Sequence, residues 1–160
     1  MYEHLRGRLD RKTPAEAVVD AGGIGWLLTI PLTTYDRLPP EGADVKLHTE
    51  LVVREDSHRL FGFATREERT FFRLLQSVSG VGPSVALQVV SASTFAEFRD
   101  AVATGDSARL RRIRGIGRKL SERLVVELRD GVQSLPAGES SGAGGTHADP
   151  AVRDALLALE

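Results

Sequence analysis

The sequence predicts a mixed fold in which a small β-barrel is followed by an all-α region. Two observations support this order. Short apolar runs bounded by turn residues fill residues 1–63, whereas helix-capping patterns and helical periodicity dominate residues 64–130. The chain has 160 residues, of which 41% are hydrophobic and 27% charged, and this composition is typical of a globular protein with one ordinary domain or two small ones.

Composition excludes several classes of protein. The chain contains no cysteine, which excludes a disulfide scaffold, thiolate metal sites and a cysteine nucleophile. No apolar run approaches the roughly 20 residues of a membrane-spanning helix, and residues 1–7 lack the basic and then apolar layout of a signal peptide. These features predict a cytoplasmic protein that has no membrane partner.

The first 63 residues predict a five-stranded barrel of the OB-fold type. The glycine cluster Gly22–Gly25 leads into a strand and not into a helix, so it indicates a tight hairpin and not a phosphate-binding loop. The predicted strands are Glu3–Asp10, Glu16–Asp20, Gly25–Pro31, Val45–Val53 and Arg59–Phe63.

Two adjacent carboxylates, Glu55 and Asp56, lie between the last two predicted strands. Their position at a hairpin tip favours a solvated turn. A metal site would need further oxygen or nitrogen ligands nearby, and His58 with Asp56 does not complete one.

Capping patterns define the helices after residue 63. Thr65 with Glu68 and Thr94 with Glu97 match the capping box, and the second of these helices should end near Gly105. Asp106 is suited to cap a further short helix over Ser107–Ile113.

An internal repeat with an offset of 35 residues is the most informative feature of the helical region. Ser79–Ser84 (SGVGPS) recurs as Arg114–Lys119 (RGIGRK), and each copy predicts a helix, a Gly-apolar-Gly turn and a second helix. Apolar positions on both flanks match at the same offset: Leu75 with Leu110, Val78 with Ile113, Val85 with Leu120, Val89 with Leu124 and Val90 with Val125.

This unit is suited to binding phosphate. The glycines permit a sharp turn and the close approach of a ligand, while the free amides and positive dipole end of the second helix face outward. It is the helix-hairpin-helix motif, which contacts the DNA backbone without reading sequence. The predicted backbone-binding residues are Gly80, Val81, Gly82, Ser84, Gly115, Ile116, Gly117, Arg118, Lys119 and Arg123.

Basic residues concentrate around the second copy of the motif. Seven bases and a single acid, Glu122, lie between residues 109 and 123. Residues 64–130 carry a net charge of +4, against −2 for residues 1–63 and −3 for residues 131–160. This distribution favours a polyanion bound by the helical region.

The order of these motifs resembles the RuvA family, which binds Holliday junctions in the bacterial branch-migration machine. The resemblance covers residues 1 to about 130. It rests on Gly22–Gly25, Val52–Asp56, Leu60–Phe63, Gly80–Pro83, Gly115–Lys119 and Glu122–Leu124.

The resemblance implies a non-catalytic homotetramer that holds a four-way DNA junction in an open square form. Glu55 and Asp56 would be the family's acidic pin, whose negative charge repels phosphates at the centre of the junction. Ser84 stands where relatives often have lysine, which places more weight on the second hairpin. The implied partners are DNA, the hexameric RuvB ATPase and the RuvC resolvase.

The C-terminal residues differ from the family pattern. Residues 131–149 are rich in glycine, serine and alanine and predict a flexible linker. Residues 150–160 resemble only the start of the family's three-helix domain that binds RuvB, and eleven residues cannot bury a core of their own. We therefore expect intact junction binding and impaired docking of the ATPase.

Other function classes have weaker support. A helix-hairpin-helix enzyme would need a nucleophile, a metal cluster or a nucleotide loop, and the four scattered histidines His4, His48, His58 and His147 supply none of these. A protein-interaction module with purely structural hairpins is disfavoured by the seven bases. The sequence thus predicts no catalytic residue, metal or cofactor. The alternative function is a generic helix-hairpin-helix DNA-binding protein or a nuclease accessory subunit.

Overall fold

The computed structural model describes residues 2–134 and contains a β-barrel followed by helices, as the sequence predicts. The barrel part contains β1 His4–Lys12, β2 Glu16–Ala21, β3 Ile24–Thr29, α1 Leu32–Arg37, β4 Asp44–Val53 and β5 His58–Phe63. The helical part contains α2 Arg66–Gln76, α3 Pro83–Ala92, α4 Phe95–Ala103, α5 Ser107–Leu110 and α6 Arg118–Ser134.

The five strands form a closed barrel in the order β1-β2-β3-β5-β4, and every pair is antiparallel except β3 with β5. The predicted hairpin between β2 and β3 is confirmed. Gly22 and Gly23 form its two-residue loop with φ values of 64° and 84°, as a type I′ turn requires. The Asp20 carboxylate accepts a hydrogen bond from the Gly23 amide at 3.0 Å, which holds the turn in place.

Helix α1 was not among the predicted elements. The predicted strand over residues 25–31 ends at Thr29, and the chain then forms one and a half turns of helix whose N-cap, Pro31, makes no side-chain hydrogen bond. Thr34 is buried in this helix, where its hydroxyl donates to the Glu68 carboxylate at 2.9 Å and accepts from the Ala64 amide at 2.9 Å. Helix α1 therefore fastens the barrel to the start of α2.

The predicted caps of the longer helices are largely confirmed. Thr94 and Glu97 form both hydrogen bonds of the capping box. The Thr65 hydroxyl accepts from the Glu68 amide, but the Glu68 carboxylate reaches back to the Ala64 amide, one residue before the predicted partner.

Two predicted boundaries change in the helical part. Helix α5 ends at Leu110 rather than at Ile113. Helix α6 continues to Ser134, so the first four residues of the predicted linker are helical. The remainder of that linker and residues 150–160 lie outside the described residues.

The barrel and the helices share one of the two hydrophobic clusters of the described residues, and the other cluster fills the inside of the barrel. Phe72 on α2 is fully buried between two phenylalanines of β5, with ring centroids 5.0 Å from Phe61 and 4.9 Å from Phe63. Beside them the guanidinium of buried Arg69 forms an ion pair with Glu3 at 2.5 Å and donates to the Glu3 carbonyl at 2.7 Å. This joint fixes the position of the helices relative to the strands.

We expect His48 on β4 to make the stability of this joint depend on pH. Burial lowers the pKa of His48 from its ordinary value of 6.5, and the positive charge of Arg69 lowers it further. The unfolded chain then binds a proton at a higher pH than the folded chain does, so stability falls as the pH drops through 6.5. We expect the melting temperature to fall between about pH 7.5 and about pH 5.5, and His48→Gln to flatten that dependence. His58→Gln, at an exposed position, is the control. If the melting temperature of His48→Gln depended on pH as strongly as that of the parent, His48 would not be the group responsible.

Candidate nucleic-acid interface

The two predicted hairpins have the same backbone structure. Hairpin 1 (residues 79–84) joins α2 to α3, and hairpin 2 (residues 114–119) joins α5 to α6. The first glycine of each turn occupies the left-handed region, with φ of 90° at Gly80 and 88° at Gly115. Only glycine adopts this conformation without strain, which explains its place at these two positions.

Hydrogen bonds inside the two hairpins match at the offset of 35 residues. The Val81 amide donates to the Val78 carbonyl at 3.0 Å, and the Ile116 amide donates to Ile113 at 3.1 Å. The Gly82 carbonyl accepts the first bond of α3 and the Gly117 carbonyl the first bond of α6, which makes both glycines N-cap residues. The internal repeat of the sequence is therefore a structural repeat.

The central apolar residue of each turn points inward. Val81 and Ile116 are both buried in the core of the helical part. Because these side chains anchor the turns, the remaining turn backbone is presented to solvent at the start of α3 and α6.

The hairpins pack against each other with approximate two-fold symmetry. A Cβ on Gly80 would lie 3.3 Å from Nη1 of Arg123, and a Cβ on Gly115 would lie 2.9 Å from Oε1 of Gln88. Gln88 and Arg123 are themselves 35 residues apart. Each hairpin is thus contacted by the equivalent residue of the other hairpin's second helix, and the pair forms one unit.

Charge breaks this symmetry. In hairpin 2, Arg118 and Lys119 are exposed, and Arg118 shares its charge with Glu122 at 3.1 Å. Hairpin 1 has Pro83 and exposed Ser84 at the equivalent positions. The stronger electrostatic attraction for a phosphate therefore lies at hairpin 2.

The predicted acidic turn lies beside hairpin 1. Glu55 and Asp56 are exposed at the tip between β4 and β5, in a turn closed by the Arg54 amide donating to the Ser57 carbonyl at 2.8 Å. At the base of this turn, Nη2 of Arg54 lies 3.9 Å from the position of a Cβ on Gly82. The structure therefore brings acidic turn and hairpin together, although they are distant in sequence.

Metal chemistry finds no support in the part of the chain that the structure describes. No group of three or more histidine and carboxylate side chains in residues 2–134 is placed to hold a metal ion. None of the described helices is long and apolar enough to span a membrane.

Comparison with known proteins gives the family. Residues 1–62 match the family model of the RuvA N-terminal domain, and residues 72–130 match that of a SAM-like helix-hairpin-helix tandem. Several relatives are called "Holliday junction branch migration complex subunit RuvA". The protein of Thioalkalivibrio sulfidiphilus is 47% identical, over 99% of this chain and 82% of its own length. The protein of Salinibacter ruber is 44% identical, over 99% of this chain and 80% of its own length. A third, from Sphingopyxis alaskensis, is 45% identical over 99% of this chain and 80% of its own length. The chain belongs to the RuvA family.

Two basic residues that sequence reasoning missed lie beside hairpin 1 of this RuvA-family protein. Arg54, Arg59 and Ser57 line a small cavity together with Pro83 and Ser84 of hairpin 1. The barrel thus supplies the positive charge that hairpin 1 lacks. Only the contact between distant segments reveals this, because Arg54 and Arg59 look like ordinary strand-end residues in the sequence.

Arg123 has a structural contact that the sequence did not predict. Its Nη1 donates to the Ser79 carbonyl of hairpin 1 at 2.9 Å, and its Nε lies 3.8 Å from the Glu127 carboxylate. This RuvA-family protein therefore uses Arg123 to tie α6 to hairpin 1, in addition to any contact with a ligand.

Proposed function

We propose that this protein binds four-way DNA junctions as the non-catalytic, DNA-holding subunit of a branch-migration complex. The paired hairpins carry the proposal, because two equivalent turns with free helix N-termini are suited to the two strands of one duplex arm. Its relatives are named as Holliday junction branch migration complex subunits, which supports the same function.

In each proposed contact, backbone amides bind the phosphate and side chains add further attraction. Amides at the start of α3 and α6 donate to phosphate oxygens, and the second glycine of each turn leaves room for a phosphate to approach. Arg118 and Lys119 add charge at hairpin 2, and Ser84 adds a hydroxyl at hairpin 1. Such contacts recognise a duplex of any sequence.

The proposed assembly is a homotetramer in which four acidic turns meet at the centre of the junction. Glu55 and Asp56 would there repel the phosphates of the crossing strands and keep the centre open. The ATPase motor would be RuvB, and a RuvC resolvase would act on the same junction. Sedimentation of the purified chain tests the assembly directly.

A salt titration of gel shifts tests the proposed function. The probes are a four-way junction and a linear duplex of equal length. We expect strong preference for the junction and an affinity that falls steeply with salt, because phosphate contacts release counterions. Equal binding to both probes would instead indicate a generic helix-hairpin-helix protein, and salt-independent binding would refute phosphate contacts.

The acidic turn allows a separate prediction. In Glu55→Gln/Asp56→Asn, we expect junction affinity to rise at least about fivefold, because one exposed charge pair contributes up to about 1 kcal/mol and the change removes two charges from every subunit. We also expect 2-aminopurine placed at the crossover to lose fluorescence as the central bases stack again. Asp36→Asn/Asp44→Asn, which removes the same charge from exposed positions elsewhere in the barrel part, is the control. Unchanged fluorescence in the acidic-turn variant would contradict the role in opening the junction.

A further inference from the structure

Three arginines beside hairpin 2 line a single groove. Arg109 lies in the last turn of α5, Arg112 lies two residues after its end, and Arg114 directly precedes Gly115 of the turn. The groove runs between this segment and α4, and its floor is apolar. We refer to it as the arginine groove; its floor includes Phe98, Ala101, Leu110 and Ile113.

The three arginines of the groove form no close ion pair within the described residues, although the charge of Arg109 helps to lower the pKa of Glu97. Within residues 2–134, no carboxylate lies within 4.0 Å of the guanidinium of Arg109, Arg112 or Arg114. The one acid that lines the groove, Glu97, accepts hydrogen bonds from the amide and hydroxyl of Thr94 at 2.9 and 3.0 Å. By contrast, Arg118 and Arg123 each face a glutamate one turn further along α6.

Hairpin 1 has no counterpart of the arginine groove. The positions 35 residues earlier are Leu74, Ser77 and Ser79, all uncharged. The backbone of the two hairpins is equivalent, so this difference is not required by the fold. Beside hairpin 1 the nearby guanidiniums, Arg54 and Arg59, come from the barrel part. Within the described helical part, three exposed arginines without a close carboxylate therefore lie together only at hairpin 2.

We propose that Arg109, Arg112 and Arg114 form a second phosphate-binding patch, which extends the hairpin 2 contact along the DNA backbone. Arginine binds phosphate with two parallel hydrogen bonds, and the patch is continuous with the turn through Arg114. Hairpin 2 then makes the larger number of phosphate contacts with its strand of the DNA arm, and hairpin 1 makes fewer contacts with the opposite strand. This inference rests on the proposed function.

The salt dependence of DNA binding tests the patch. The variant Arg109→Gln/Arg112→Gln/Arg114→Gln is compared with Arg6→Gln/Arg11→Gln/Arg37→Gln, which removes three exposed charges from the barrel part. Each lost phosphate contact lowers the slope of log affinity against log salt by about 0.9. We expect the groove variant to lose about two to three units of slope for both the junction and the linear duplex, and the control to keep the parent slope.

A second variant tests the patch by a gain of DNA binding, with two arginines introduced at the matching positions of hairpin 1. Adding Ser77→Arg/Ser79→Arg to the groove variant should restore part of the lost slope, because it builds the patch on the other hairpin. A parent-like slope in the groove variant, or an equal loss in the control, would overturn the patch while leaving the proposed function intact. Absence of salt-dependent DNA binding by the parent protein would refute both.

Discussion

Replacing the second glycine of both hairpins with aspartate should weaken DNA binding strongly without destabilising the fold. In Gly82→Asp/Gly117→Asp we expect DNA affinity to fall roughly a hundredfold or more, since a hydrogen bond to a charged group contributes about 1.5–3 kcal/mol. The new carboxylate would accept the helix amides that a phosphate otherwise takes, and its charge would repel the DNA backbone.

The fold should tolerate this exchange for three reasons. Gly82 has φ of −86°, and neither glycine is in the left-handed region. A Cβ at Gly117 would have no atom within 4 Å, and one at Gly82 would meet only Nη2 of Arg54 at 3.9 Å. Aspartate is also a preferred N-cap residue and interacts favourably with the helix dipole. We therefore expect an unchanged or raised melting temperature.

Gly82→Asn/Gly117→Asn is the matched control. Asparagine has nearly the same size and capping ability but no charge, so its loss of affinity should be clearly smaller than that of the aspartate variant. Fluorescence anisotropy with a labelled junction measures both variants beside their melting curves. Tight binding by the aspartate variant would show that DNA does not contact the starts of α3 and α6.

Phe72→Ala should have the largest effect on stability. Phe72 is fully buried between Phe61 and Phe63 at the joint of barrel and helices. Truncating a buried phenylalanine lowers the free energy of unfolding by about 3–5 kcal/mol, through lost burial and the cavity that is left. Urea denaturation followed by circular dichroism measures this difference.

Val126→Ala provides the comparison for Phe72→Ala. Val126 lies on α6 with 77% of its surface exposed, so its truncation should change the free energy of unfolding by less than about 0.5 kcal/mol. Because the barrel and the helices share a core, the parent protein should unfold in a single transition. A loss below about 1 kcal/mol in Phe72→Ala, or two separate transitions in the parent, would contradict a shared core.

Structural features that depend on residues close together in the sequence could be predicted from it. The Gly22–Gly23 hairpin follows from local turn chemistry, and the capping box at Thr94 from two residues three apart. The two hairpins were found because a repeated pattern of glycines and apolar residues is visible without knowing any distance. Their backbone-binding residues remain predictions until DNA binding is measured.

Features that depend on distant segments could not be predicted. The N-cap residue of helix α1, Pro31, makes no capping bond, and the helix is instead held by distant partners. Thr34 bonds to Ala64 and Glu68, about 30 residues away, and the Leu32 amide donates to the Ser91 hydroxyl at 3.0 Å. The approach of Arg54 to Gly82 and the bond from Arg123 to Ser79 likewise depend on packing. Local preferences do not encode such pairings, and a resemblance to a family does not supply them for the residues of a particular chain.

The approximate two-fold symmetry of the hairpins has a consequence for movement of the DNA. The two strands of a duplex run in opposite directions and are exchanged by a two-fold axis at every base pair. The symmetric backbone of the two hairpins can therefore contact both strands in equivalent ways at any base pair, and an arm that advances by one base pair while turning by one helical step presents the same arrangement of phosphates again. Under the proposed function, an arm can therefore pass the site in identical steps of one base pair.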